Sequence, residues 1–313
     1  MILPIEATND FFEPSSKIPA KYRSYLIPGA LTRFTQDNEG VILDQKIPGR
    51  KYTGWVHRIW LSNLTLLYPF AVKDTWALHF WLARRIPAKL EHGQTVILDD
   101  CTLFYLPAAE YTAWPMPGNA ISFHINFDEF ASSNQEVSEV AADAHRSKII
   151  NEFPYPISPV SFRIIKRVFS CKFLGRCAEI YQERNFKNLL DCYWQQNENK
   201  GKYQLIKTIK TILQLIREQA QLQPLLFSSY ESVARNFGIS VQTLREGFES
   251  YFHITLHEYV RQEKLMTAFE WLAASSKKVE EVSKNLGYHN RAFFESDFEN
   301  YFECSITDVC RFK

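Results

Sequence analysis

The feature that most constrains this chain is a stretch that its sequence contains twice. The first copy, SVARNFGISVQTLREGFESYFHITLHEYVR, covers residues 232–261, and the second, EVSKNLGYHNRAFFESDFENYFECSITDVCR, covers residues 281–311. Gly238 matches Gly287 at an offset of 49 (287 − 238), and the residues that follow match at 50 because the second turn has one more residue. Each copy predicts a helix, a glycine turn and a second helix, which is the pattern of a helix-turn-helix.

Helical spacing of apolar residues continues outside and between the two copies. The stripe that precedes the first copy and ends at Pro224 consists of Leu205, Ile209, Ile212, Leu213 and Ile216. A long helix from Leu256 to Ala274 is predicted to join the two copies. Residues 203–313 are therefore predicted to form an all-α domain with two helix-turn-helix units.

The first half of the chain has a different pattern, with frequent Pro and Gly breaks between short segments. These segments are rich in β-branched and aromatic residues and alternate with a period near two; they lie at 76–82, 95–98, 101–106 and 120–127. Such spacing favours an antiparallel β-sandwich or barrel over a parallel α/β sheet. We predict this architecture for residues 1–154, and an α+β fold with two domains for the whole chain.

Aromatic residues are concentrated in this half, which holds five of the seven tryptophans. They predict either a pocket for an apolar or ring-bearing ligand or simply a filled core. The candidate pocket residues are Trp55, Trp76, His79, Trp81, Trp114 and His124.

No pattern of catalysis or metal binding is present. The histidines of the first half, at 57, 79, 92 and 124, are dispersed, and the six cysteines contain no CxxC spacing. A nucleophile elbow, a phosphate-binding glycine loop and paired carboxylates are also missing from the sequence. We expect no enzyme activity, no metal and no cofactor. Reduced thiols and the lack of a long apolar run predict a cytoplasmic protein.

Two amphipathic helices are predicted between these domains, in residues 155–202. The first carries Phe162, Ile165 and Phe169 at helical spacing, and the second carries Ile180 and Leu189. A short apolar stripe needs a partner surface. Two alternatives remain open: the helices form a homodimer with a second copy, or they pack on the β-domain of their own chain.

The doubled stretch resembles the DNA-binding domain of the AraC/XylS-type transcriptional regulators. The matching residues are Val233, Ala234, Gly238, Ser240, Leu244, Phe248, Tyr251, Phe252, Tyr259, Arg261, Leu265, Ala268 and Leu272 in the first part, and Val282, Gly287, Tyr288, Phe294, Phe298, Tyr301, Phe302 and Arg311 in the second. The resemblance implies a cupin-like sensor domain in the first half. It also implies promoter DNA, a small-molecule effector and RNA polymerase as partners.

Residues that would face the DNA follow from the helix register. They are Ser240, Val241, Gln242, Arg245 and Glu246 in the first unit, and Asn290, Arg291, Ala292, Glu295 and Ser296 in the second. In a helix-turn-helix the second helix enters the major groove, where Arg, Gln and Glu can read base edges.

The sequence departs from the family pattern at two kinds of position. His253 and Glu303 stand where the family usually has glycine after each recognition helix, so we expect these turns to close differently, at a cost of ~1 kcal/mol each. Glu246 and Ser296 stand where the family often has arginine.

Charge gives this domain little general attraction to DNA, because residues 203–313 hold 13 Lys and Arg against 14 Asp and Glu, a net charge of −1. The leading hypothesis is a ligand-responsive, sequence-specific DNA-binding transcriptional regulator. The alternative is a small-molecule sensor whose degenerate helix-turn-helix domain serves protein contacts rather than DNA binding.

Overall fold

The chain has an α+β fold in two units, one built on strands and the other on helices. A computed structural model describes residues 2–7, 14–15, 17–82, 86–89, 95–98, 101–106, 108–115, 117–127, 148–149, 157–198, 207–224, 227, 229–274 and 277–311. Unit 1 comprises Met1–Ile157 and Lys166–Lys172, and unit 2 comprises Ser158–Ile165 and Phe173–Lys313. The division into domains 1–154, 155–202 and 203–313 stays a prediction. His92 and Leu205, which the sequence patterns included, lie outside the described residues.

Unit 1 is built from short strands and a 3-10 helix at Ala20–Tyr25. The strands are β1 Ile2–Glu6, β2 Leu31–Gln36, β3 Gly40–Ile47, β4 Tyr52–Leu61, β5 Tyr68–Ala71, β6 Thr75–Trp81, β7 Ile86–Lys89, β8 Thr95–Leu98, β9 Cys101–Leu106, β10 Ala109–Glu110, β11 Thr112–Ala113, β12 Gly118–Phe127 and β13 Lys148–Ile149.

The largest sheet has seven strands in the order β13-β9-β6-β12-β4-β3-β2, and each neighbouring pair is antiparallel. Two three-stranded sheets accompany it, β1-β5-β10 and β11-β7-β8. The pairing of β1 with β5 is parallel, unlike the others. The predicted antiparallel β architecture of this unit is confirmed.

Both faces of the large sheet are covered. One face packs with residues of the smaller sheets and their connections in a cluster of Leu3, Ile42, Ile59, Leu61, Leu67, Ala77, Trp81, Leu106, Tyr111, Ala113 and Ala120. On the opposite face, the ring centroid of Phe123 lies 5.6 Å from that of Phe80 and 5.7 Å from that of Phe169. We call the face covered by this cluster of eleven residues the inner face of the sheet.

Helices make up the rest of the described chain. They are α1 Pro159–Phe169, α2 Gly175–Glu198, α3 Lys207–Leu222, α4 Tyr230–Asn236, α5 Val241–Phe252, α6 Leu256–Ala274, α7 Val279–Asn285, α8 Arg291–Phe302 and α9 Ile306–Arg311. In the part of the chain that is described, none of these helices could span a bilayer.

Helix α2 packs against the end of α8 inside unit 2. The Arg184 guanidinium donates to the backbone carbonyl of Tyr301 at 2.6 Å, and the Asn188 amide donates to the Tyr301 hydroxyl at 2.8 Å. The apolar residues Ile180 and Leu189 of α2 are buried within the single chain. The homodimer was predicted because an apolar stripe needs a partner surface, and a single chain already covers the stripe of α2. The homodimer therefore stays a prediction, and this argument no longer supports it.

The turns after α5 and α8 correct one expectation from the sequence. His253 and Glu303 adopt the left-handed conformation, with φ of 57° and 53°. These turns therefore close as a glycine would close them, and the expectation of a different closure is wrong. Packing of the flanking helices holds the two side chains in a region that ordinarily costs a non-glycine residue ~1 kcal/mol or more.

We predict that His253→Gly raises the free energy of unfolding by about 1 kcal/mol, because glycine adopts the left-handed conformation without strain. Urea denaturation of the purified chain, followed by circular dichroism, measures the change. As a control, His257→Gly replaces an exposed residue inside α6 and should instead destabilise the chain. A lower free energy of unfolding in His253→Gly would contradict this prediction. It would show that contacts of the His253 side chain stabilise the turn by more than the left-handed backbone costs.

Candidate functional site

The two helix-turn-helix units share one turn geometry. In the first, the backbone N–H of Ile239 donates to the carbonyl of Ala234 at 3.0 Å; in the second, Tyr288 donates to Ser283 at 3.1 Å. These bonds wrap the end of α4 and of α7, and they need a left-handed residue in between. Gly238 and Gly287 supply it, with φ of 65° and 76°. The repeat in the sequence is therefore a repeat in structure.

An aromatic side of each recognition helix, α5 and α8, faces the interior. The side chains that are at most 4% exposed are Leu244, Phe248 and Phe252 in α5 and Phe294, Phe298, Tyr301 and Phe302 in α8. The ring of Phe302 lies 5.0 Å from that of Phe269 in α6, and Phe248 lies 5.9 Å from Tyr259 in the same helix. Because this side is buried, the opposite side of each helix is presented to solvent.

The first recognition helix exposes polar side chains at its start. Ser240 caps the helix by accepting from the backbone N–H of Thr243 at 3.0 Å. Gln242 and Glu246 are exposed and joined by a 3.1 Å hydrogen bond from the Gln amide to the carboxylate. Arg245 is also exposed, with its guanidinium carbon 5.0 Å from the ring centroid of Tyr230. Val241, the remaining predicted contact here, is half-buried.

The second recognition helix begins with an asparagine cap. Asn290 accepts from the backbone N–H of Ala292 at 2.7 Å, and both residues are exposed. Arg291 donates to Glu295 at 2.8 Å, and this hydrogen bond raises the pKa of Arg291. Ser296 is exposed and accepts from the Asn300 amide at 3.4 Å. All five predicted residues of this unit therefore lie together on the first turns of α8.

Asp297 of α8 binds side chains within the domain and is not one of the predicted DNA-contacting residues. Arg261 in α6 donates to Asp297 at 2.6 Å, and the Tyr288 hydroxyl donates to the other carboxylate oxygen, also at 2.6 Å. Burial first, and then the Asp297 contact, raise the pKa of Tyr288. Arg261 also contacts Glu258 at 2.9 Å. The network ties α8 to α6 and places a cation directly beside Asp297.

Phe293 lies within the predicted DNA-contacting segment of α8, but the register assignment passed over it. Its side chain is 73% exposed, whereas its neighbour Phe294 is fully buried. The missed signal is the helical period: with Phe294 and Phe298 facing the core, Phe293 must point about 100° from Phe294 and about 140° from Phe298.

Unit 1 places four of the six predicted pocket residues on the inner face of its large sheet. His124 is the cross-strand partner of both Trp55 and His79, and Ser122, two residues before it, is the partner of Trp81. The rings stack: Trp55 lies 6.3 Å from His124, His124 lies 6.2 Å from His79, and His79 lies 5.9 Å from Trp81. We call this set, together with His57, the ring row.

The two other predicted pocket residues lie apart from the ring row. Trp76 is the cross-strand partner of Phe127, an odd number of residues from His124, so its side chain is on the opposite face of the sheet. Trp114 follows β11 and is half-buried. The structure therefore does not bring Trp76 to the inner face.

A histidine that contacts an aspartate at one end of the ring row was not singled out as a pocket residue. His57 is fully buried; its Nδ1 lies 2.8 Å from Asp44, which also accepts from Arg33 at 2.8 Å. Its ring lies 5.2 Å from that of His124, and its Nε2 has no hydrogen-bond partner among the described residues. Within the described chain, no cluster of three or more His, Cys, Asp or Glu side chains could hold a metal ion.

His79 is held in its neutral form. Complete burial, followed by the nearby His57, lowers the pKa of His79 to about 3. Its Nε2 lies 2.9 Å from the Ser122 hydroxyl, which can satisfy a neutral imidazole. The ring row at this position is therefore uncharged at neutral pH.

Comparison with known proteins finds similarity in the C-terminal part of the chain. A family model described as a helix-turn-helix domain matches residues 233–311. The regulatory protein SoxS of Salmonella typhimurium is 30% identical over 100 residues, which cover 32% of this chain and 90% of SoxS. SoxS of Escherichia coli K12 is 28% identical over 102 residues, covering 33% of this chain and 92% of the relative.

Similarity to solved structures was also found. The C-terminal domain of the response regulator yesN from Fusobacterium nucleatum is 18% identical to this chain, with a TM-score of 0.29. The match covers 33% of this chain and 99% of the yesN domain chain. ToxT from Vibrio cholerae is 8% identical to this chain, with a TM-score of 0.30. The match covers 84% of this chain and 98% of the ToxT chain.

Acid should destabilise unit 1 through His79. Above pH 6.5 the imidazole is neutral in the folded and the unfolded chain alike. As pH falls from 6.5 toward 3, the unfolded chain binds a proton that the folded chain does not, so the free energy of unfolding decreases by up to about 1.4 kcal/mol per pH unit. We predict that His79→Gln flattens this decrease.

Urea unfolding at pH 7, 6 and 5, followed by tryptophan fluorescence, measures the slope. His289→Gln, which changes an exposed histidine in the turn before α8, is the matched control and should keep the wild-type slope. An unchanged slope in His79→Gln would contradict the assignment of the acid response to His79.

Proposed function

The chain belongs to the AraC family of transcriptional regulators, and we propose that it recognises a specific promoter sequence with both recognition helices in response to a small molecule. One observation supports this most: α5 and α8 each bury an aromatic side and expose a polar first turn that begins with a capped N-terminus. A helix of this kind can enter the major groove with its N-terminal residues at the base edges. The proposal assigns no catalytic step to the protein.

Three side chains supply direct base recognition in this proposal. Arg291 is suited to a guanine, Gln242 to an adenine, and Glu246 to the amino group of a cytosine. Ser240 and Asn290, at the two helix starts, are placed to contact phosphates beside the groove. Both the Arg291–Glu295 and the Gln242–Glu246 contacts lie at the surface. Exposed pairs of this type contribute only about 0.3–0.5 kcal/mol, so opening them for DNA costs little.

Charge supports an alternative in which the helix-turn-helix domain contacts a protein. Residues 203–313 carry a net charge of −1 (13 − 14), and Glu246, Glu249 and Glu299 are exposed on the recognition helices. A domain with this balance gains little from counterion release. The DNA proposal therefore requires that base contacts supply most of the affinity. Under either proposal RNA polymerase is a candidate protein partner.

The ring row of unit 1 is the proposed site for the small molecule. It presents Trp55, His57, His124, His79 and Trp81 on the shielded face of the sheet. Flat rings and the neutral imidazole of His79 suit a ring-bearing ligand that offers one or two hydrogen-bonding groups. Both Nε2 of His57 and Nε1 of Trp81 are buried and lack a hydrogen-bond partner among the described residues. A ligand that bonded to these atoms would satisfy them.

We predict that Arg291→Ala weakens specific DNA binding by about tenfold, within the range of one bidentate base contact. Binding to duplexes of unrelated sequence should change little. Fluorescence anisotropy with the preferred duplex, selected from a random library by the wild-type protein, measures both constants.

Arg176→Ala is the control, because it removes an arginine from a comparable 2.9 Å pair with Glu179 in α2, which is not a recognition helix. Equal losses in the two variants would contradict the placement of Arg291 in the groove. If the wild type selects no sequence with or without ligand, the DNA proposal fails and the protein-contact alternative is favoured.

We predict that a compound found by a thermal-shift screen of metabolites and siderophores stabilises the wild type more than Trp81→Phe. Trp76→Phe removes the same group from the opposite face of the same strand and should respond like the wild type. Isothermal titration with each variant measures the affinities. Loss of binding in Trp76→Phe with retention in Trp81→Phe would exclude the inner face as the site.

A further inference from the structure

The exposed phenyl ring of Phe293 is not explained by the fold. It is 73% exposed, while the other phenylalanines of α8 are buried. A single exposed apolar residue needs no special reason on an ordinary surface. Phe293, however, is the third residue of a recognition helix, two residues after Arg291. Its position puts the ring among the side chains that would meet DNA.

Helix geometry shows which residues surround this ring. Phe294 and Phe298 define the direction of the core, and each residue turns the helix by about 100°. Ala292 and Ser296 therefore point away from the core, and Phe293 and Glu295 flank them on either side. Phe293 lies two residues from both Arg291 and Glu295, about 160° from each around the helix axis, so its ring is on the other side of the helix from their ion pair.

We propose that Phe293 reads the C5-methyl group of a thymine in the major groove. This inference deepens the proposed function and rests on it. The thymine methyl is the one apolar group that base edges present in this groove, and Ala and Phe side chains can contact it. A phenyl ring gains nothing at a phosphate, whereas contact with a methyl group removes apolar surface of both partners from water.

The first recognition helix lacks this feature, which makes the inference specific to one half of the DNA site. Thr243 is the residue equivalent to Phe293 (293 − 50 = 243). Its hydroxyl lies 2.8 Å from that of Ser240, so it is occupied at the helix cap. The thymine read by Phe293 should therefore lie only in the segment contacted by α8.

Replacement of single thymines by deoxyuridine tests this contact, because it removes only the methyl group. In the duplex that the wild type selects, each thymine is replaced in turn and affinity is measured by fluorescence anisotropy. One position in one half of the site should weaken wild-type binding by about fourfold, the value of one buried methyl-sized group. Phe293→Ala should bind the thymine duplex more weakly and should no longer distinguish thymine from deoxyuridine there.

Controls separate this contact from effects on folding. Phe162→Ala changes another exposed phenylalanine, in α1, and should behave like the wild type. Phe293→Leu keeps an apolar side chain and should retain part of the discrimination. Because the ring of Phe293 is mostly exposed, Phe293→Ala should unfold at the wild-type temperature.

Several results would overturn the inference. It fails if the wild type binds a specific sequence but its affinity is insensitive to deoxyuridine at every position. It also fails if Phe293→Ala loses as much affinity as the wild type when the thymine is replaced by deoxyuridine. Unchanged DNA binding by Phe293→Ala with reduced transcription would assign the ring to a protein partner and also overturn it. A wild type that selects no sequence would overturn the proposed function itself, and this inference with it.

Discussion

Burial of paired phenylalanine rings against one long helix is the interaction on which the C-terminal unit depends. The rings of Phe248 and Phe252 lie 4.6 Å apart, those of Phe298 and Phe302 lie 4.5 Å apart, and both pairs pack toward α6. A fully buried phenylalanine contributes about 1.5–3 kcal/mol. Rotating either recognition helix would expose these rings, so the same burial fixes which residues each helix offers to a partner.

Periodicity made much of this fold predictable. The long helix was predicted at Leu256–Ala274 and has these bounds in the structure, and the strands Thr95–Leu98 and Cys101–Leu106 also agree. In these segments the spacing of apolar residues agrees with local propensity, so the sequence pattern is sufficient. The polar residues at the start of α5 and α8 were likewise predictable, because a helix with a buried aromatic side must expose the residues opposite it.

Features that depend on contacts between distant residues were not predictable. The pair of Asp44 with His57 forms because β3 and β4 are in register, which no local pattern specifies. Trp76 is separated from the ring row because alternate residues of a strand point to opposite faces of the sheet. The aromatic character of the segment does not tell which of its residues point to which face. The left-handed turns at His253 and Glu303 are imposed by packing of the flanking helices and run against local propensity. In each case tertiary structure outweighed a local signal.

The negative charge of the helix-turn-helix domain has a consequence for how it can select DNA. Asp297 is paired inside the domain with Arg261, whereas Glu295 would lose its partner Arg291 when that arginine contacts a base. A net charge of −1 over residues 203–313 still leaves little attraction to phosphates. Under the proposed function, we expect such a domain to bind unrelated DNA weakly and to draw its affinity from the bases themselves. Apolar contact with a thymine methyl fits this situation, because it adds affinity without requiring positive charge.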